Sequence, residues 1–544
     1  MSARRNQVLV MSSLMLATGV AQAMPIETGS DLRLSWDNTL DLTLIGQPDQ
    51  SWYGPNGRCA PGGGAVEYRL QGVAVPCLGR SGLTSSRFDW LSQVVLSYQD
   101  LGFQISSEGW YDPAYGAWKQ NAPALPGGGR SNSYFSAGET DPIGNIELND
   151  AFLYGRTELG ADRPFSFRLG RQVTLWGESV YFIDNGIAAG QAPVDTYRYQ
   201  SGGYYEADQS FLPVGQGSFS WQAFDAVSLI GYYQFEWRRS RISPYDAYDS
   251  TVTMLGDPFA RQIALPAAGG TVIAYNRASD LTSDSTDQFG LGLRGRQGEY
   301  DWGLFGLSYD AKTPTIYYRL PAGPAPAGSY SLVYPKGTEI YGVSLAGPLG
   351  DASFGAELSA RRRMPLVNAG IVLDPGETAD NNGHPRYPLG DTLHAQFSWD
   401  YATPPLPGIP GGAHWTGEIA ANDLLSVTAN ADQLVPGRTH AAAALRTAFV
   451  PQFFQIWPRL DLTLPIGLGW NFVGLSQTDE TMNRNTADLT LGATLTLDQS
   501  WKFGLSATHY FGKSENGFLP YDPVGVQHAL SESDFLGFTV ARSF

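Results

Sequence analysis

From Leu32 to Leu44 the chain alternates in polarity at period two. Leu32, Leu34, Trp36, Leu40, Leu42 and Leu44 hold even positions, and Arg33, Ser35, Asp37, Thr39, Asp41 and Thr43 hold odd ones. A side chain points to opposite faces at successive residues of a strand, so this is a strand with one apolar and one polar face. It is longer than the roughly 5–6 residues usual in soluble sheets. A tilted strand needs about 9–11 residues to cross a bilayer.

The pattern recurs. Phe88, Trp90, Val94, Leu96 and Tyr98 share a parity, and Leu101, Phe103 and Ile105 follow a Gln99-Asp100 turn. Phe165, Phe167, Leu169, Val173 and Leu175 alternate with Arg168, Gln172 and Thr174; Val227, Leu229, Tyr233, Phe235 and Trp237 alternate with Ser228, Gln234, Glu236 and Arg238. Leu489 to Leu497 is expected to pair with Trp501 to Phe511 across Asp498-Gln499-Ser500. Short turns (99–100, 160–163, 498–500) alternate with long Gly/Pro/Asn/Asp-rich loops near 46–86, 112–144, 243–286, 320–337, 365–390, 402–413 and 512–532. Short periplasmic turns and long outer loops characterise outer-membrane barrels. The reading is an all-β, antiparallel transmembrane barrel with 14–18 strands, 16 being the expected number; a soluble β-sandwich is the alternative.

Charged residues make up 16% of the chain and aromatics 12%, with 64 glycines and 14 tryptophans. Soluble domains carry about 25% charge, whereas a barrel wall needs aromatic girdles, an apolar outer face and many turns. The net charge of −17 excludes a nucleic-acid partner, which would demand a basic surface. The N-terminus reads as a signal peptide over residues 1–23: Arg4 and Arg5, an apolar stretch from Val8 to Val20, then Ala21-Gln22-Ala23 as cleavage site. Nothing after it approaches the ~18 apolar residues of a membrane-spanning helix. Residues 24–544 then form one barrel domain in the outer membrane, in contact with its lipid. Cys59 and Cys77 are the only cysteines and flank a Gly/Pro-rich loop, which an oxidising envelope would favour as a disulfide. The last strand, with Leu536, Phe538, Val540 and a terminal Phe544, resembles the signal read by the barrel assembly machinery; Arg542 breaks its apolar row.

Other motifs lead nowhere. Gly290-Leu-Gly292-Leu-Arg-Gly295 matches the dinucleotide fingerprint, yet it lies inside an alternating strand with no helix after it. The six histidines show no metal-ligand spacing, there is no GxSxG elbow, and no catalytic residue, metal or cofactor is assigned. Arg168, Arg238, Arg294, Arg296 and Arg361-Arg362-Arg363 fall on polar strand faces. They are either lumen ion pairs or a ladder attracting an anionic head group.

One stretch is distinctive: Arg168-Leu-Gly170-Arg171-Gln172-Val-Thr-Leu-Trp176-Gly177-Glu178-Ser179, then Asn185-Gly186-Ile187 and Ala192-Pro193-Val194-Asp195. With Leu212-Pro-Val214, Gly231-Tyr-Tyr-Gln234-Phe-Glu236-Trp237, Asp287-Gln-Phe-Gly-Leu291 and Arg363-Met-Pro-Leu366, it resembles the domain of unknown function 1302 family of proteobacterial outer-membrane proteins. The likeness covers most of the mature chain and departs near 375–435. It implies a barrel that accompanies a periplasmic lipid-carrier-like protein and an inner-membrane RND-type transporter, and so a route for lipids, fatty acids, steroids or hydrocarbons. A diffusion porin for small hydrophilic solutes is the alternative, with a barrel-type lipid enzyme behind it.

From Trp176 to Val214 the alternation stops for nearly forty positions, and loops that long are usually functional or disordered. The segment is expected to fold inward as a plug or constriction whose aromatics meet an apolar ligand; a loop packed over the mouth is the alternative. Arg168, Gly170, Arg171, Gln172, Trp176, Gly177, Glu178, Asn185, Gly186, Pro193 and Asp195 are the candidate path or plug residues. Alternatively, Gly170, Arg171, Gln172, Trp176, Gly177 and Glu178 only fix the bend where wall meets plug.

Overall fold

Period-two alternation becomes a closed antiparallel barrel in the computed structural model. The residues described are 24–27, 31–47, 67–70, 73–76, 82–114, 143–160, 162–195, 210–241, 262–266, 272–284, 287–323, 327–512 and 534–544. The signal segment, Cys59 and Cys77 lie outside them.

Eighteen strands cross the wall. They are β1 (Leu32–Gln47), β2 (Gly82–Tyr98), β3 (Leu101–Tyr111), β4 (Gly144–Glu158), β5 (Pro164–Gln172), β6 (Val214–Phe224), β7 (Val227–Gln234), β8 (Phe289–Gln297) and β9 (Tyr300–Tyr309). There follow β10 (Thr338–Leu349), β11 (Ala352–Pro365), β12 (Leu389–Ala402), β13 (Ala413–Ala429) and β14 (Ala441–Trp457). The last four are β15 (Leu460–Thr463 continued by Ile466–Val473), β16 (Thr486–Leu497), β17 (Trp501–Gly512) and β18 (Phe535–Ser543). Each pairs with its neighbours in the chain, and β1 pairs with β18 from Thr39↔Ser543 to Gly46↔Leu536 to close the ring. Asn38 and Phe544 exchange backbone hydrogen bonds of 2.9 and 3.0 Å at the seam. No described helix is long and apolar enough to cross a membrane.

The burial pattern is that of a membrane wall. Along β10 the exposed residues are Tyr341, Val343 and Leu345, while Thr338, Ile340, Gly342 and Ser344 are buried. Apolar side chains thus face lipid, and the side filled by protein is the lumen. Arg542 sits on the lipid-facing row, where its guanidinium lies 4.9 Å from the Trp501 ring centre and 5.4 Å from that of Phe544. That pairing with two aromatics accounts for a charge in an otherwise apolar strand.

The number is eighteen rather than the expected sixteen. Strands rich in small residues hide their period: β6 begins Val-Gly-Gln-Gly-Ser and β14 begins Ala-Ala-Ala-Ala. β15 is interrupted between Thr463 and Ile466, and β12 and β13 shift register near Leu389–Thr392. Alternation of strands also places the 403–412 connection on the side of the short turns, so it is a ten-residue periplasmic turn and not an outer loop. On the opposite side the long loops build a second sheet of Gln262–Pro266, Val272–Arg277, Ala327–Val333, Thr315–Arg319 and Ile371–Leu373. One face packs Tyr275, Ile316, Tyr318, Tyr330 and Leu332, the other Tyr317, Val333, Ile371 and Leu373.

Candidate functional site

After β5 the chain turns into the lumen, and the described part of the inward segment is 173–195 with 210–213. It contains only two short 3-10 turns, Ile183–Asn185 and Ile187–Gly190. Most of its backbone amides therefore need partners from outside, since a buried amide without an acceptor is costly.

Two lumen carboxylates supply them. Glu357 on β11 accepts from the amides of Glu178, Ser179 (3.0 Å) and Ile187 (2.8 Å). Glu418 on β13 accepts from the amides of Val180 (3.0 Å), Tyr181 and Phe182 (3.0 Å), and from the Ser179 hydroxyl (3.2 Å). The carbonyls are held in turn by Arg361 of β11, which donates to Asp184 O (2.8 Å) and Gly186 O (3.0 Å). Asn185 fits between β12 and β13: its Oδ1 lies 2.9 Å from His394 Nδ1, and its Nδ2 donates to Ala421 O at 3.2 Å. The segment is thus gripped through main-chain atoms by charged side chains of the wall.

An apolar patch completes the seat. Trp176 packs against Tyr232 of β7 and Phe305 of β9, with ring centres 5.0 and 5.7 Å away, and Ile187 joins Ile230, Leu307 and Ile340. Gly290, within the fingerprint-like motif, makes room for this ring: a Cβ there would come within 2.8 Å of Trp176. The motif is a packing device. Gly177 has φ +99°, and a Cβ on it would meet Glu357 Oε1. Only a residue without a side chain lets the wall carboxylate reach the turn.

The far end is pinned by ion pairs. Asp195 pairs with Arg241, which also reaches Glu147 of β4 at 2.7 Å, and Glu147 takes Arg238 at 2.6 Å. Between Trp176 and Asp195, Lys312 donates to Gly190 O at 2.7 Å and to Gln288 at 3.1 Å. It lies beyond the end of β9, and burial pushes its ammonium down to about 7.

The residues singled out in the sequence separate into two groups, with Arg168 apart from both. Trp176, Gly177, Glu178, Asn185, Gly186, Pro193 and Asp195 are in the inward segment, with Glu178 taking the Ser344 hydroxyl at 3.3 Å and Pro193 O accepting from Leu212 N at 2.8 Å. Gly170, Arg171 and Gln172 close β5 at the rim. Arg171 faces Glu236 at 3.6 Å, and Gln172 O accepts from Gln216 at 2.8 Å. Arg168 stands apart on the lumen wall. Glu357, Glu418 and His394 were not singled out. Their signal is an ionisable residue at inward parity between lipid-facing neighbours such as Leu358, Leu393 and Ile419.

A family model described as "Protein of unknown function (DUF1302)" matches residues 4–544. Comparison with curated proteins found no match. Among solved structures, OccD3 (OpdP) of Pseudomonas aeruginosa is 10% identical, with 96% of this chain and 93% of that one covered and a TM-score of 0.41. OccAB2 of Acinetobacter baumannii is 9% identical, with 94% and 98% covered and a TM-score of 0.42. OpdK of Pseudomonas aeruginosa with vanillate is 9% identical, with 94% and 98% covered and a TM-score of 0.39.

Proposed function

This chain belongs to the DUF1302 family and forms a multi-pass β-barrel of the outer membrane, and on that premise we propose that it is a constricted channel. The cargo we assign is hydrophobic or amphipathic small molecules such as fatty acids, steroids, other lipids or hydrocarbons. The observation that carries this reading is the inward segment, fixed inside the lumen against one side of the wall by Glu357, Glu418 and Arg361 rather than lying over the mouth. A barrel filled in this way leaves a narrowed route, and a cargo that binds along a route gains more from it than one that only diffuses through water. Exchange on the periplasmic side with a lipid carrier and an RND-type transporter belongs to the same proposal, as do signal-peptide removal after Ala23 and assembly through the strand ending at Phe544. The reading assigns no covalent chemistry to the chain.

A second reading, a diffusion porin for small hydrophilic solutes, has one observation in its favour. The wall opposite the inward segment presents short polar side chains to the lumen, with Thr490 and Thr508 hydroxyls 2.9 Å apart and Thr39 and Ser543 hydroxyls 3.1 Å apart. Proteoliposomes separate the two. We expect barrel-dependent uptake of labelled decanoate and little swelling in arabinose; rapid swelling in arabinose with no decanoate uptake beyond protein-free liposomes would replace the first reading by the second.

A further inference from the structure

Most arginines on the lumen side are already engaged. Arg87 pairs with Asp89 at 2.7 Å, Arg296 with Asp301 at 2.7 Å, Arg446 with Asp488 at 2.9 Å, and Arg361 holds the inward segment. Three on β4, β5 and β8 are different. Arg156 on β4, Arg168 on β5 and Arg294 on β8 alternate with lipid-facing Leu153, Leu169, Leu291 and Leu293, so they point into the lumen. All three are exposed there, and none lies within 4.0 Å of a carboxylate among the described residues.

Strand register sets serines beside all three, with Arg156 and Arg168 on the adjacent strands β4 and β5 and Arg294 three strands from Arg168 on β8. Arg156 stands opposite Ser166, and Ser166 opposite Ser220 on β6; Arg168 is two residues on from Ser166, on the same face. Ser228 on β7 stands opposite Arg294. No side-chain hydrogen bond occupies these three serine hydroxyls among the described residues, so they remain donors. The carboxylates that act on them are Asp150 on Arg168, and Glu178, Asp301 and Glu357 on Arg294; Asp150 takes Ser106 at 2.9 Å, Glu178 takes Ser344, Asp301 pairs with Arg296, and Glu357 holds the amides of the inward segment. Two of the arginines are also oriented by aromatic faces, with Arg168 5.6 Å from the Phe152 ring centre and Arg294 5.7 Å from that of Phe305. A guanidinium fixed in this way loses little freedom on binding.

We propose that this patch on the lumen wall of β4–β8, beside and beneath the inward segment, is a binding site for an oxyanion. Cationic forks and hydroxyl donors flanked by Phe152 and Phe305 suit the carboxylate of an amphipathic acid, whose apolar part would lie on the rings. The choice of an amphipathic acid rests on the function proposed above; the oxyanion site does not.

The test is calorimetric titration of the full chain in nanodiscs with decanoate, decanol and sulfate at neutral pH, with empty nanodiscs subtracted. The variants are R156Q/R168Q/R294Q and R156K/R168K/R294K, each checked for folding by its heat-modifiable gel band. Decanoate is expected to bind at least about tenfold tighter than decanol, a hydrogen bond to a charged group being worth about that much. The glutamine variant should lose this preference, and the lysine variant should keep part of it. Equal binding of decanoate and decanol to the unaltered protein, or a glutamine variant that binds decanoate unchanged, would overturn the site. Sulfate binding as tightly as decanoate, with the same dependence on the arginines, would keep the site and remove the amphipathic cargo.

Discussion

The carboxylate of Glu418 shows how much can rest on one residue. It accepts from three consecutive amides and a hydroxyl in a segment with almost no internal secondary structure. Removing it by Glu418→Ala leaves buried donors unpaired, at about 1–3 kcal/mol each. We expect the segment to loosen and the channel current to become larger and noisier; Glu418→Gln, which retains an acceptor oxygen, should lie between the two. Gly177→Ala tests the other side of the contact. The substitution forces a Cβ into a positive-φ position against Glu357, so the temperature of the heat-modified gel shift should fall. Lys312 gives a pH dependence. Its ammonium is held near 7 where it sits, against 10.5 for a free lysine. Between those values the unfolded chain binds a proton that the folded chain does not, so stability rises with pH across that window and the penalty is full below about 7. Lys312→Met should flatten the rise in gel-shift temperature between neutral and alkaline pH. At this scale the sequence was readable where backbone geometry was at stake, as with Gly177, and silent about Glu357 and Glu418. One acid among 52 carries no mark of what it will face.

Elements were legible in proportion to their contrast. β1, β2, β16 and β17 alternate large apolar with polar residues, and their hairpins form in the register that parity predicts, Tyr98↔Leu101 and Leu497↔Trp501. Strands filled with Gly, Ala and Ser do not announce a face, because close packing against neighbours rather than lipid contact selects those residues. The sheet of outer loops was invisible for a different reason. Both its faces are buried, so Thr-Ile-Tyr-Tyr-Arg at Thr315–Arg319 shows no period. The inward segment was visible as a loss of alternation, but its position needed the wall residues that hold it. Deleting 180–205 removes the contacts to Glu418, Asn422 and His394 while leaving every barrel strand intact. The variant should still insert and show the folded gel band.

For the whole molecule, the ring is closed by the pairing of β18 with β1, to which Phe544 adds the final exchange. Phe544 exchanges both backbone hydrogen bonds with Asn38 and lies against Arg542. Deleting Phe544 should reduce the amount of folded barrel recovered from outer membranes, with periplasmic aggregate or degradation in its place; full recovery would show that β18 closes the ring without it. The finished ring is a wall with an apolar exterior, a lumen filled on the β7–β13 side, and a roof of paired loops. On the proposed reading, the inward segment narrows the passage. Single-channel conductance in planar bilayers, comparing the intact protein with the 180–205 deletion, addresses this directly. We expect a small current for the intact barrel and a severalfold larger one for the deletion. A large, steady current that the deletion leaves unchanged would mean that the segment does not narrow the passage.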